Sequence, residues 1–276
     1  AYGRKACPAF HVYGRLPIWS DDYLIGRIAQ LRDMGMTNVY FKMAGFDPED
    51  LEHILRLASK AQVDMVTFDG AGGGSGYSPC KMMNEWCLPT VVMESILYGI
   101  LNKLAAEGME LPHVAITGGF ATEDQVYKAL ALGAPYVKAV CMSRSFMIPA
   151  FLGCNIEGAL HPERRERVHG AWSALPKTVL DIGDTPETIF AGYHALKERL
   201  GADEMAHIPY GAIAMWTMCD RLGAGLQHHM AGARKFGVEH IDRTDICAAN
   251  RETAQETGIP FITEQDDELA RRIVLG

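Results

Sequence analysis

Short apolar runs alternate with amphipathic stretches along the N-terminal half of the chain. The apolar runs are rich in β-branched and aromatic residues, and they predict strands at 38–45, 63–70, 113–119 and 136–143. Each run is bounded by glycine or polar residues, which is typical of strands covered on both faces in a parallel sheet.

The amphipathic stretches between these runs predict helices. They lie at 20–35, 47–61, 89–108 and 122–134. Ser20 and Asp47 are candidate N-caps, and Pro48 suits the first helical position. The second helix has an apolar stripe made of Leu51, Ile54, Leu55 and Leu57.

This alternation predicts right-handed crossovers and a parallel sheet, so we expect an α/β fold of the (β/α)8 TIM-barrel type. Four strands stand out, a fifth is weaker at 7–14, and a closed barrel needs eight. We therefore expect residues 1–155 to supply the C-terminal half of a barrel. The other strands would come from a missing N-terminal half or from a partner chain. An open doubly wound sheet is the alternative.

The strand signal ends near residue 155, and residues 156–276 are expected to form a mostly helical extension. The pattern predicts one helix at 185–201 with Thr185 as its cap, helical pieces over 210–237, and a terminal helix at 263–275.

Composition narrows the range of functions. The net charge is 26 − 34 = −8 without a basic cluster, which argues against nucleic-acid binding. No apolar stretch approaches the roughly 20 residues that a membrane span needs. Seven cysteines without a CxxC pair favour a reducing compartment, so we expect a cytoplasmic protein and no metal site.

Three turns that suit a ligand follow predicted strands, at the position where parallel sheets build their active sites. The first is a glycine loop after Asp69, whose candidate ligand-binding residues are Gly72, Gly73, Gly74, Ser75 and Gly76. Glycines let a backbone approach a flat ligand or a phosphate closely. The second turn carries Gly118 and Gly119, and the third carries Ser143 and Arg144.

The second and third turns together predict a phosphate site, because free N–H groups and an arginine fork hold phosphate oxygens. Lys42 closes an apolar strand, where a cation needs an anionic partner or a cavity. A reduced flavin carries negative charge and would supply such a partner.

Four segments in this order resemble the FMN-binding domain of the glutamate synthase family. They are "VYFKMAG", "VDMVTFDGAGGGSGYSP", "ITGGFATEDQVYKALALGAPYV" and "SRSFMIPAFLGC", within about residues 20–155. The resemblance implies FMN bound in a TIM barrel. It also implies that Lys42, the glycine loop, Gly118–Gly119 and Ser143–Arg144 contact the flavin or its phosphate. The family's iron–sulfur cysteines have no counterpart between Cys154 and Cys219, so we expect no iron–sulfur cluster.

We therefore expect an FMN-dependent oxidoreductase, as a subunit or fragment, that acts on a small polar substrate such as an amine, imine or amino acid. Lys42 would stabilise the reduced flavin, and Asp69 would orient the substrate, accept a proton or brace the glycine loop. Exposed sheet edges predict an oligomer.

One alternative is a barrel enzyme for a phosphorylated substrate, since "GAGGGSGYSPC" also resembles the loop of IMP dehydrogenases, with Cys80 as nucleophile. Another is a non-catalytic half-barrel that completes a partner chain.

Overall fold

Four parallel strands form one sheet in the order in which they occur along the chain. The computed structural model describes residues 20–45, 47–73 and 85–275, and the weak strand predicted at 7–14 lies outside them. The strands are β1 (Tyr40–Ala44), β2 (Met65–Asp69), β3 (His113–Thr117) and β4 (Val137–Cys141). All four strong predictions are confirmed, and so is an α/β fold with a parallel sheet.

The helices predicted around these strands are also present. They are α1 (Asp21–Asp33), α2 (Pro48–Lys60), α3 (Thr90–Ala106) and α4 (Glu123–Leu132). Both candidate caps act as predicted. The Ser20 side chain accepts a hydrogen bond from the Tyr23 N–H at 3.3 Å, and the Asp47 side chain accepts one from the Glu49 N–H at 2.8 Å. Local sequence thus sets where α1 and α2 begin.

One face of the sheet is buried beneath helices. Val66, Phe68, Val114 and Ile116 are all fully buried on this face, and they belong to the same core cluster as the predicted stripe of α2. Side chains alternate between faces along a strand, so the residues between these four point to the other face. On that face Tyr40 is 56% exposed, whereas Ala115 and Asp69 are buried, so the cover predicted on both faces is partial among the described residues.

The chain divides into two compact units. One comprises Ala1–Phe120, Gln125–Cys141 and Ala233–Gly276, and the other comprises Ala121–Asp124 and Met142–Gly232. The division predicted from the sequence, 1–155 and 156–276, stays a prediction, and its boundary falls inside α5 (Arg144–Leu160).

The second unit is helical throughout its described secondary structure. After α5 come α6 (Lys177–Leu180), α7 (Pro186–Ile189), α8 (Tyr193–Leu200), α9 (Ala202–Met205) and α10 (Tyr210–Gly232). Helices α5 and α10 cross closely, because a Cβ on Gly153 would lie 2.4 Å from the Tyr210 carbonyl oxygen. The buried carboxylate of Glu157 accepts a hydrogen bond from the Tyr210 N–H at 2.8 Å, and this bond satisfies a donor at the start of α10.

Two helix predictions in this unit are wrong. The single helix expected at 185–201 is broken into α7 and α8 by an extended, buried Phe190. Gly192 follows this break and packs against Trp216, whose ring leaves no room for a Cβ. The pieces expected over 210–237 instead form one continuous helix of 23 residues, α10. Tertiary packing decides the first case.

The C-terminal segment returns to the first unit. It contains α11 (Arg251–Thr257) and α12 (Asp267–Leu275), the second of which confirms the predicted terminal helix in a shorter form. Arg243 anchors the segment by donating to the carbonyl oxygens of Leu132 at 2.5 Å and Thr257 at 2.6 Å. Its guanidinium lies 3.9 Å from the centre of the Tyr98 ring, a cation–π geometry.

A buried acid lies on α3, one helical turn before Tyr98. Glu94 is only 2% exposed, and its Oε1 atom has no hydrogen-bond partner in the described structure. Burial raises the pKa of this carboxyl well above its usual value, although the charge of Arg243 opposes the shift. Within the described ranges, no helix combines the length and the apolar character needed to cross a membrane.

Candidate functional site

The carboxyl ends of β1, β2 and β3 are joined to one another by backbone hydrogen bonds. The Gly45 N–H donates to the Asp69 carbonyl at 2.9 Å, and the Gly70 N–H donates to the Thr117 carbonyl at 2.9 Å. These bonds continue the sheet beyond its strands, so the loops after all three strands start at the same edge. That edge is where parallel α/β sheets bind ligands.

A lysine–aspartate pair lies at this edge. The Lys42 Nζ atom is 2.6 Å from the Asp69 Oδ2 atom. The Asp69 side chain is 3% exposed, whereas that of Lys42 is 48% exposed. A buried carboxylate is costly unless it is paired, and Lys42 provides the counter-charge while its ammonium group stays accessible. The sequence predicted that Lys42 needs an anionic partner or a cavity, with a reduced flavin as the candidate partner, and the structure places the Asp69 carboxylate against its ammonium group.

The strand register places further side chains beside this pair. The row nearest the carboxyl ends consists of Ala44, Asp69, Thr117 and Cys141. The row below it consists of Lys42, Thr67, Ala115 and Ala139. All eight side chains are on the face opposite the helical core.

Two cysteines near the pair were not singled out by the sequence patterns. Cys141 ends β4, and burial raises the pKa of its thiol, with the charge of Lys42 lowering it and that of Asp69 raising it further. Burial also raises the pKa of Cys87, and again the Asp69 charge adds to the effect. Neither cysteine belongs to a motif. The only available signal was the place of Cys141 at the end of a predicted strand.

The glycine turn after β3 has the backbone conformation that the sequence suggested. The φ angle is +121° at Gly118 and +83° at Gly119, a range that residues other than glycine rarely adopt. A Cβ on Gly118 would lie 2.8 Å from both the Gly70 carbonyl oxygen and the Thr90 Oγ1 atom. A Cβ on Gly119 would meet no described atom within 4 Å. Gly118 is therefore required by packing, whereas Gly119 has no close neighbour among the described residues.

The glycine loop after β2 begins beside this turn. Gly72 has a φ angle of +83°, and a Cβ there would lie 3.8 Å from the Gly119 nitrogen. A Cβ on Gly73 would coincide with the Asp69 carboxylate, so this glycine makes room for the buried acid. The remaining predicted residues of the loop, Gly74, Ser75 and Gly76, lie outside the described residues, as does Cys80.

The structure thus gathers six of the predicted residues at one edge of the sheet, namely Lys42, Asp69, Gly72, Gly73, Gly118 and Gly119. Ser143 and Arg144 belong to the other unit, where Arg144 is the first residue of α5. Next to them, the Ser145 Oγ atom is buried and has no hydrogen-bond partner in the described part of the chain.

The profile of the conserved region in glutamate synthase matches residues 14–163, which include all four strands and the glycine turn. A search of the curated proteins found no match.

Proposed function

The chain belongs to the glutamate synthase family, and from that membership we propose that it is an FMN-dependent oxidoreductase, as a subunit or fragment. Its substrate would be a small polar molecule such as an amine, an imine or an amino acid. The observation that carries the proposal is the accessible ammonium group of Lys42, held by a buried carboxylate beside a glycine turn.

Lys42 is suited to stabilise a flavin in its reduced state. When bound, FMN accepts a hydride or two electrons and gains negative charge on its pyrimidine ring. A cation fixed in advance stabilises such charge without having to reorganise. Lys42 meets this requirement because the ion pair of 2.6 Å holds its Nζ atom in place while almost half of the side chain stays exposed.

Asp69 acts through its neighbours in this proposal. Its side chain is 3% exposed, and it occupies the space that a Cβ on Gly73 would need. These contacts support the bracing role among those expected from the sequence. Asp69 is therefore a positioning residue for Lys42 and for the glycine loop.

The turn after β3 fits the phosphate of FMN. Both glycines have positive φ angles, and a Cβ on Gly119 would meet no atom of the described residues within 4 Å, which leaves room for an anion to approach its main chain. Ser143 and Arg144 stay in the proposal as anion ligands, because they lie at the N-terminus of a 17-residue helix.

We also propose that further strands complete the sheet into an eight-stranded barrel. Strands β1 and β4 each pair on one side only within the described structure. A cavity of about 940 Å³ is lined on one side by residues 137–140 of β4 and on another by residues 238–244 of the C-terminal segment. Consecutive residues point to opposite faces, so a cavity that touches all four runs along the strand edge. The missing strands would come from a partner chain or from another part of the protein, and the assembly would be an oligomer in the first case.

The proposal is tested by the cofactor content of the purified protein. The protein is incubated with FMN, freed of excess by gel filtration, and examined for flavin absorbance and for FMN release on denaturation. A Lys42→Met variant is expected to bind FMN more weakly and to lower the reduction potential of any flavin retained. Lys103→Met is the matched control, because Lys103 pairs with Glu52 on the helical side of the unit.

Each outcome has a defined meaning. Flavin retained by the unaltered protein and by Lys103→Met, with a lowered potential in Lys42→Met, supports the proposal. A protein that retains no FMN contradicts it. If Lys42→Met leaves both cofactor content and potential unchanged, the role of Lys42 is refuted and a non-catalytic partner chain is favoured.

A further inference from the structure

The lysine–aspartate pair occupies only part of the candidate site. Lys42 and Asp69 belong to β1 and β2, but the row at the carboxyl ends continues onto β3 as Thr117 and onto β4 as Cys141. Neighbouring strands are about 4.8 Å apart, so the backbone at Cys141 lies about 10 Å from that at Asp69. The site is therefore a strip with a charged end and a second end of different chemistry.

The end of the strip on β3 and β4 carries small, mostly apolar side chains. In the row beneath Thr117 and Cys141 the side chains are those of Ala115 and Ala139, each a single methyl group. The Cys141 thiol is half-buried, and burial keeps it in the neutral form by raising its pKa. A neutral thiol behaves as a small, polarizable apolar group. This end carries no charged side chain in either row.

A ligand that matches both ends has a polar, charge-accepting edge and a flat apolar edge. The isoalloxazine ring system of FMN has these two edges, the pyrimidine ring and the dimethylated benzenoid ring. Resting on the proposed function, we infer that Thr117 and Cys141 form the floor beneath the apolar end of the flavin. Side-chain size at these two positions then determines which planar ligands the site admits.

The first test is protection of the Cys141 thiol. The protein is treated with N-ethylmaleimide with and without FMN, and the modified peptides are quantified by mass spectrometry. At an FMN concentration of about 100 times Kd, a thiol that reacts only in the empty site is labelled about 100-fold more slowly. Cys247, which is exposed in the same unit, serves as the internal control and is expected to react at an unchanged rate.

The second test changes the size of the floor. Cys141→Phe is expected to lower FMN affinity at least about tenfold, whereas Cys141→Ala is expected to retain it, with circular dichroism used to verify folding. Cys247→Phe is the matched control. This pair of variants decides the matter if the thiol reacts slowly even without FMN.

The outcomes separate this inference from the proposed function. If the protein retains FMN but Cys141 is labelled equally fast with and without it, or if Cys141→Phe binds FMN normally, the inference is overturned and the function stands. If the unaltered protein retains no FMN, the proposed function fails and the inference fails with it. Protection confined to Cys141, together with loss of binding in Cys141→Phe, supports both.

Discussion

Substitution of Gly118 by alanine should destabilise the first unit strongly. The φ angle of +121° costs an alanine about 1–2 kcal/mol, because its Cβ crowds the neighbouring carbonyl in this region. The new Cβ would also lie 2.8 Å from the Gly70 carbonyl oxygen and from the Thr90 Oγ1 atom. One of these contacts is with backbone, so the chain must shift, which costs about 1–3 kcal/mol more. The expected loss is therefore about 2–5 kcal/mol.

Gly119 provides a control that differs in a single respect. Its φ angle of +83° also disfavours alanine, but the new Cβ would meet no described atom within 4 Å. Only the backbone strain of about 1–2 kcal/mol is expected. The free energy of unfolding of both variants is measured by urea denaturation at 25 °C, monitored by circular dichroism.

The two variants should also separate stability from binding. Gly119→Ala should weaken FMN binding although the protein stays folded, because its methyl group enters the space proposed for the phosphate. If Gly118→Ala loses no more stability than Gly119→Ala, the packing of the turn against Gly70 and Thr90 is refuted. If Gly119→Ala binds FMN normally, the phosphate does not lie at this turn.

Three further variants test the electrostatics of the first unit. Lys42→Met leaves the Asp69 carboxylate without this counter-charge, and we expect it to lower the free energy of unfolding by about 2 kcal/mol in urea denaturation. This value lies between the loss of up to about 1 kcal/mol for an exposed ion pair and the loss of about 3–5 kcal/mol for a buried one. An unchanged denaturation midpoint would contradict the pairing. Glu94 has a raised pKa in the folded state, so its contribution to stability is lost as pH rises above 4.5. As pH rises from about 5 to about 8, the melting temperature of the unaltered protein should therefore fall relative to that of Glu94→Gln. Asp64 has a lowered pKa, mainly because it accepts a hydrogen bond from the Val39 N–H, so Asp64→Asn should be less stable at neutral pH and the difference should shrink as pH falls below 3.8. A pH dependence of the opposite sign in either variant would refute the assigned cause.

Local sequence was sufficient to predict the four strands of the first unit and the helices α1 to α4, but it did not predict α11. Four apolar runs became four strands, and Ser20 and Asp47 cap the helices that they were expected to cap. These features depend on a few adjacent residues, and the sheet buries the predicted runs on its helical side. The same local patterns failed for α7 and α8, because the packing of Phe190 and Gly192 depends on residues far away in the chain.

The site was predictable only in part, for a related reason. Glycine density and position after a strand identified both glycine turns. The row that joins Asp69 to Thr117 and Cys141 depends on strand register, which no single strand encodes. The pairing of Lys42 with Asp69 likewise connects residues of two strands that are separated by a helix.

Register also explains why we propose the pair, and not the lysine alone, as the functional unit. Lys42 lies opposite Thr67, one row below Asp69, so its long side chain must cross a row to reach the carboxylate on the neighbouring strand. That diagonal contact delivers the ammonium group to the carboxyl edge of the sheet, where the glycine turns lie. Without Asp69 the lysine could turn toward solvent, and a mobile cation stabilises developing charge less well than a fixed one. The effects of substituting Lys42 and Asp69 on flavin potential should therefore not be additive, because either change removes the same fixed charge.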